Sequence, residues 1–328
     1  MGFLLKENDE VRIIAPSRSL NIIDKYTINL AEQRLKNLNL RVSYGKNVYK
    51  MDEDYKCASI SERVEDLMEA FLDKNVKAIL TVIGGYNSNQ LLKYIDYDVI
   101  KKNPKIFCGY SDITALSNAI YAKTGMVTFY GPHFSSFGMK HGFDYTLEYF
   151  KKMFFEDKEI NIKDSKLYSS DDKWYAKQDE REFLSNEGMQ VLTHGVAEGQ
   201  IIGGNLNTFV SLVGSEFMPS FKNKILFLEN VDLTNGAYLE EFDRNFEILL
   251  LQEQFKEIKG IVFGKTQLSA NMNIKKWEKM LKSKNLLNKI PIICNCNFGH
   301  TTPIFTFPIG GNVKIDTYSS DKKIVIRS

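Results

Sequence analysis

Ile106-Phe107-Cys108-Gly109-Tyr110-Ser111-Asp112-Ile113-Thr114 passes from a short apolar run, through a glycine, into the start of a helical pattern. Ile113, Leu116 and Ile120 recur at helical spacing, and Gly125 stands where such a helix would stop. The apolar run before Gly109 is too short for a helix and reads as a buried strand. A strand that turns directly into a helix is the repeating unit of a parallel sheet with helices on its faces. Upstream, Ala78-Ile79-Leu80-Thr81-Val82-Ile83 ends in Gly84-Gly85 in the same manner, and Val11-Arg12-Ile13-Ile14-Ala15 stops at Pro16-Ser17. Helical stripes lie between them: Ile28, Ala31, Leu35 and Leu38, then Val64, Leu67, Met68, Phe71 and Leu72, with Ser61 placed to cap the second. Residues 1–150 are therefore expected to form an α/β domain on a mostly parallel sheet, with its site at the carboxyl ends of the strands.

From about residue 151 to 195 the pattern lapses into polar, aperiodic sequence such as Ser169-Ser170-Asp171-Asp172-Lys173, which reads as a linker and substrate loop. Order returns at Gly203-Gly204-Asn205-Leu206. The strand Ile225-Leu226-Phe227-Leu228 runs into Glu229, a helix covers about 239–251, and Gly260 to Phe263, Pro291 to Cys294 and Val313 to Ile326 read as strands. Residues 196–328 are expected to be a second, β-rich α/β domain.

The 328 residues hold 43% hydrophobic and 26% charged side chains, an ordinary globular balance, with a net charge of +2. That charge gives no field to attract a nucleic acid polymer or an anionic membrane. No apolar run approaches the length of a membrane span, and the N-terminus turns polar too soon for a signal peptide. Cys57, Cys108, Cys294 and Cys296 match neither a disulfide framework nor a zinc ribbon, and Cys294-Asn295-Cys296 reads as strand packing. The expectation is a cytoplasmic protein with no metal and no cofactor.

Four histidines limit the choice of a general base working near neutral pH: His133, His141, His194 and His300. His300 lies in the Gly- and Pro-bounded loop Phe298-Gly299-His300-Thr301-Thr302-Pro303, directly after a strand. Ser111, at a strand-to-helix turn, can expose its hydroxyl where backbone N–H groups meet a developing oxyanion. A serine before an aspartate is also an ordinary helix N-cap, which local sequence favours, and the second glycine of a Gly-x-Ser-x-Gly elbow is missing. Gly84-Gly85 can build an oxyanion hole or simply a tight βα turn. Glu229 can orient a histidine or be a solvated strand-end carboxylate.

Together these segments resemble the serine peptidases of the LD-carboxypeptidase family, and within it the microcin C immunity branch. The resemblance runs nearly end to end. It covers Ile14 to Ser17, Ile83 to Leu92, Asn103 to Thr114, Tyr130-Gly131-Pro132, Gly203 to Leu206, Leu228-Glu229-Asn230 and Phe298-Gly299-His300. It implies a Ser-His-Glu triad of Ser111, His300 and Glu229, with an oxyanion hole from the backbone N–H groups of Asp112 and Gly85. It also implies that the triad assembles across the junction of two domains and that homodimers are common. The signature Ile83-Gly84-Gly85-Tyr86-Asn87-Ser88-Asn89-Gln90 resembles the immunity branch more than the muropeptide-cleaving branch. In that branch a loop stacks aromatic residues on the nucleobase of an aminoacyl-nucleotide. Trp174 falls in the matching loop, a second tryptophan is absent, and Tyr175 or Phe183 could substitute. Asn205 matches a substrate-contacting asparagine, and is also legible as a helix cap. The expected activity is a metal-independent serine carboxypeptidase or amidase acting on a small peptide or aminoacyl-nucleotide. The alternatives are a muropeptide LD-carboxypeptidase and a catalytically silent binding protein.

Overall fold

A computed structural model describes residues 4–173, 177–287, 289–321 and 323–327. Its first sheet is built from β1 (Glu10–Ile14), β2 (Arg41–Tyr44), β3 (Val76–Thr81), β4 (Ile106–Gly109) and β5 (Thr128–Tyr130), all parallel, in the order β2-β1-β3-β4-β5. The connections carry α1 (Lys25–Asn37), α2 (Ile60–Leu72), α3 (Tyr97–Lys102) and α4 (Thr114–Thr124), and α5 (Asp144–Phe155) follows β5. β3 packs to both sides of the sheet, with a register irregularity after Val76. Ala78 and Leu80 join Ala31 and Leu35 of α1, whereas Val76 and Ile79 join Leu67 and Phe71 of α2. Burial on both faces is why these strands read as continuous apolar runs.

Helix ends follow local chemistry. The cap of α2 is Ser59, not the expected Ser61: Ser59 and Glu62 exchange the reciprocal bonds of a capping box, and Ser61 lies in the first turn. Gly125 stops α4 in the left-handed conformation, at φ 74°.

The second sheet takes β6 (Ile160–Asn161), β9 (Gln190–Thr193), β10 (Val196–Asn205), β11 (Lys224–Glu229), β12 (Gly260–Gly264), β13 (Ile292–Cys296), β15 (Asn312–Asp316) and β16 (Ile324–Arg327). Its order is β6-β16-β15-β10-β11-β12-β13-β9, with β10 to β13 parallel and the flanking strands antiparallel. Among the described residues three α-helices belong to this half: α6 (Leu206–Val210), α7 (Tyr238–Leu250) and α8 (Ile274–Ser283). Within 151–195, β6 and β9 form the two edges of this sheet, and β7 (Leu167–Tyr168) pairs with β8 (Leu184–Ser185) as a separate ribbon. Such short, half-buried edge strands carry no apolar periodicity for sequence to reveal.

One strand leaves the second half altogether. β14 (Phe307–Ile309) pairs antiparallel with β5 and completes the first sheet. It carries Phe307 into an aromatic cluster: stacked on Tyr130 at 4.6 Å between centroids, 4.9 Å from Phe227 of β11 and 5.2 Å from Phe298. Each such pair contributes about 0.5–1.5 kcal/mol beyond burial. The cluster holds the strand ends of both sheets and the loop after β13 in one block.

Candidate active site

Tyr110 leaves β4 in extended conformation, and Ser111 then adopts φ 59°. A non-glycine residue held there costs about 1–3 kcal/mol, which its surroundings must offset. Asp112 supplies the brace. Its carboxylate, 4% exposed, accepts the Ser17 hydroxyl at 2.6 Å and the N–H groups of Asn87 and Ser88 at 2.9 Å each. Ser88 in turn donates to the Asp112 carbonyl at 2.6 Å. The buried Arg63 of α2 ties the same loops together through the carbonyls of Pro16 and Asn87, each at 3.0 Å. Ser111 is thus not a cap. The turn presents its hydroxyl, and the neighbouring aspartate does the structural work.

Gly84 meets this turn so closely that a Cβ there would sit 2.9 Å from both Cβ and Oγ of Ser111. Only glycine permits that approach, which sets the backbone of Gly84-Gly85 beside the hydroxyl.

Glu229 is the last residue of β11 and 2% exposed. One carboxylate oxygen accepts from His300 Nδ1 at 2.7 Å and the other from the Tyr130 hydroxyl at 3.1 Å. His300 Nε2 lies 2.9 Å from Ser111 Oγ. Nδ1 therefore carries a proton toward the carboxylate, and Nε2 is free to accept one from the serine. Tyr110 packs between rings, 4.3 Å from His133 and 5.7 Å from His300. Burial, followed by the Glu229 charge, raises the Tyr110 hydroxyl to about 12 and holds Tyr130 well above its ordinary value. Burial, assisted by His300, pushes His133 down to about 3, so it stays neutral.

Ser111 opens on a cavity of about 350 Å³ bounded by Arg18, Tyr86, Asn205, Thr208 and His300. Beyond Tyr110 and His300 lies a second hollow of about 290 Å³, bounded by Met139, Phe143, Asp171 and Asp232. Asn205 lines the first cavity and also caps α6, accepting the N–H of Thr208 at 3.1 Å, which is its reading as a helix cap. Trp174 and Tyr175 lie outside the described residues. Phe183 packs against Gly142, with the Arg181 guanidinium 5.1 Å above its ring. His141 faces Asp179 at 3.5 Å and His194 stacks on Tyr318 at 5.4 Å, and neither lines the cavity at Ser111. Cys294 and Cys296 are buried thiols, Cys294 pushed up to about 12 by burial. Among the described residues no cluster of three His, Cys, Asp or Glu side chains is arranged to hold a metal ion.

Sequence reasoning missed Tyr130, Arg63 and Asp112's bracing role. Only Tyr130 left a trace, as the last apolar residue before Gly131-Pro132.

The N-terminal domain of the LD-carboxypeptidase family matches residues 11–131, and its C-terminal domain matches 198–315. The chain belongs to the LD-carboxypeptidase family. It is a serine-type carboxypeptidase, a hydrolase of peptide or amide bonds. YocD of Bacillus subtilis is 45% identical over 98% of each chain. An MccF-like protein of Bacillus anthracis superposes with a TM-score of 0.96 at 49% identity, covering 99% of this chain and 98% of that one. The microcin C7 self-immunity protein MccF of Escherichia coli is 32% identical over 95% of this chain and 92% of its own length. MccF in complex with glutamyl sulfamoyl guanosine superposes with a TM-score of 0.89, covering 99% of this chain and 98% of that one. Among the described residues no helix is long and apolar enough to cross a membrane.

Proposed function

We propose that Ser111, His300 and Glu229 are a catalytic triad that hydrolyses the amide bond of a small peptide-like or aminoacyl-nucleotide substrate. The observation that carries this reading is the unbroken hydrogen-bonded line from Ser111 Oγ through His300 to the buried Glu229 carboxylate, at 2.9 and 2.7 Å. Ser111 Oγ attacks the carbonyl carbon as its proton passes to His300 Nε2. The N–H groups of Asp112 and Gly85 receive the oxyanion, with Gly84 allowing the approach. His300 returns the proton to the departing nitrogen, the C–N bond breaks, and an acyl-serine remains. Water, deprotonated by the same histidine, then releases the acid. Glu229 stays ionised and stabilises the imidazolium.

The aminoacyl-nucleotide class is supported by the likeness to MccF, whose solved complexes hold glutamyl sulfamoyl guanosine and aspartyl sulfamoyl adenosine. On this reading Asn205 contacts the substrate, Trp174 stacks on the nucleobase, and the enzyme works in the cytoplasm as a homodimer. Incubation of the purified protein with aspartyl sulfamoyl adenosine and, in parallel, with a muropeptide tetrapeptide tests it by mass spectrometry of the products. Release of aspartate from the first, lost in Ser111→Ala, is the expected result. Cleavage of the muropeptide alone would replace the substrate class, and turnover surviving Ser111→Ala would sink the triad.

A further inference from the structure

A third cavity, of about 400 Å³, opens at the carboxyl ends of β12 and β13, on the far side of Gln267 from His300. Lys265 stands in its wall, the first residue after β12 and only 5% exposed. Its ammonium group donates to Asn295 Oδ1 at 2.5 Å and lies 4.4 Å from the centre of the Tyr168 ring. An ammonium carries three donors, so two have no protein acceptor among the described residues, and no carboxylate comes within ion-pair distance. A buried cation left without an anion is costly unless something else neutralises it. Burial lowers Lys265 to about 8, which still leaves it mostly protonated at neutral pH.

The rest of the wall is consistent with an amphoteric guest. Asn273 and Ile274 bring the amino end of α8 to the cavity, a second source of positive potential. Exposed Glu187 lines the same cavity and supplies a negative charge, while Trp277, Met272 and Leu268 give it an apolar side. Asp164, the other acid near Lys265, is engaged by the N–H of Met189 at 2.9 Å. The site is also joined to the catalytic machinery. Gln267 accepts the N–H of Asp232 from the neighbouring hollow at 2.8 Å, and Gly264 lies against Glu229.

We propose that this cavity binds a free zwitterionic α-amino acid, its carboxylate on Lys265 and the end of α8, its ammonium on Glu187 and its side chain against Trp277. A free amino acid is the class of molecule a carboxypeptidase releases, but the proposal does not depend on the triad assignment. It is tested by calorimetric titration of the full chain with L- and D-phenylalanine, 3-phenylpropionate and phenethylamine.

At least one enantiomer of phenylalanine is expected to bind, and Lys265→Met to weaken it at least tenfold. Glu187→Gln should weaken phenylalanine several-fold and leave 3-phenylpropionate unchanged, while phenethylamine does not bind. Both variants should retain kcat/KM within twofold. Glu187 is exposed, so Glu187→Gln reports on the site even if Lys265→Met fails to fold. Phenylalanine binding unaffected by either substitution would place the ligand in the catalytic cleft and overturn the proposal. Absence of binding by both enantiomers would also overturn it.

Discussion

The backbone N–H of Asn205 donates to Thr114 Oγ1 at 2.9 Å, fastening the helix that follows Ser111 to the end of β10 in the other sheet. Asn118, one turn further along α4, donates to the carbonyl of Gly203 at 2.7 Å and accepts its N–H at 3.1 Å. Asn205 is the register partner of Glu229 in the β10–β11 pair. Serine and carboxylate therefore sit on separate sheets, yet their spacing is fixed by a short path: Ser111, Thr114, Asn205, Glu229. Small errors in such spacing cost heavily in rate, because His300 must meet both partners at once.

Gly204→Ala should break this path. Its φ is 126°, and a Cβ there would lie 2.5 Å from Thr114 Oγ1 and 3.2 Å from the Tyr130 ring. Strain and overpacking together are expected to cost about 2–4 kcal/mol of stability. Urea unfolding measures that loss. In the fraction that folds, kcat/KM should fall, since the displacement moves Ser111 away from Glu229 and shifts Asn205 in the cavity wall. Unchanged stability would mean that the sheets do not bear on one another here.

Ser111→Gly should stabilise the protein while abolishing turnover. Glycine tolerates φ 59° without the steric penalty serine carries, so a gain of about 1 kcal/mol in unfolding free energy is expected. Ser111→Ala loses the same activity and gains no such relief, because alanine keeps its Cβ. The comparison separates backbone strain from loss of the hydroxyl. Equal stabilities of the two variants would contradict it.

Glu229→Gln keeps the shape of the side chain but removes the charge that stabilises the imidazolium. A fall of about 10³–10⁴-fold in kcat is expected. Tyr130→Phe only withdraws the hydroxyl donated to that carboxylate, and about tenfold is expected. Combining the two should cost little more than Glu229→Gln alone, because both act through one group. Additive losses in steady-state kinetics would show that Tyr130 acts elsewhere, on substrate.

Much of this was legible in advance, for identifiable reasons. Strands buried on both faces announce themselves as apolar runs, and their ends at Gly109 and Glu229 mark where side chains emerge. His300 was one of four candidate histidines, and only the family resemblance singled it out. What sequence concealed was pairing at a distance. Nothing in Phe307-Pro308-Ile309 says that it crosses to β5 and not to its neighbour β15, since edge pairing is decided by a partner residues away. Asp112 misled for a different reason. A Ser-Asp pair at a helix start looks like a cap, and only the Ser17 and Asn87–Ser88 loops packed on it reveal a brace for an uncapped serine. The capping box Ser59-Ile60-Ser61-Glu62 was fully readable, and the correct serine was simply the one three residues before the glutamate.

Buried His133 should give the folded protein an acid sensitivity of its own. The ring is 1% exposed, shares a 2.7 Å hydrogen bond with Thr81 through Nδ1, and its Nε2 has no partner among the described residues. Folded, its pKa is about 3, against 6.5 for the ordinary side chain. Below pH 6.5 the unfolded chain therefore takes up a proton that the folded chain refuses. The stabilising contribution of the neutral ring is complete above that pH and is lost as pH falls toward 3, by about 2 kcal/mol at pH 5. A His133→Gln variant cannot take up this proton, so its unfolding free energy should decline less between pH 7 and pH 5 than that of the parent protein. Urea titrations at both pH values measure the difference. Parallel declines would mean that His133 is protonated in the folded state, and that the ring packed on Tyr110 accommodates a charge its burial argues against.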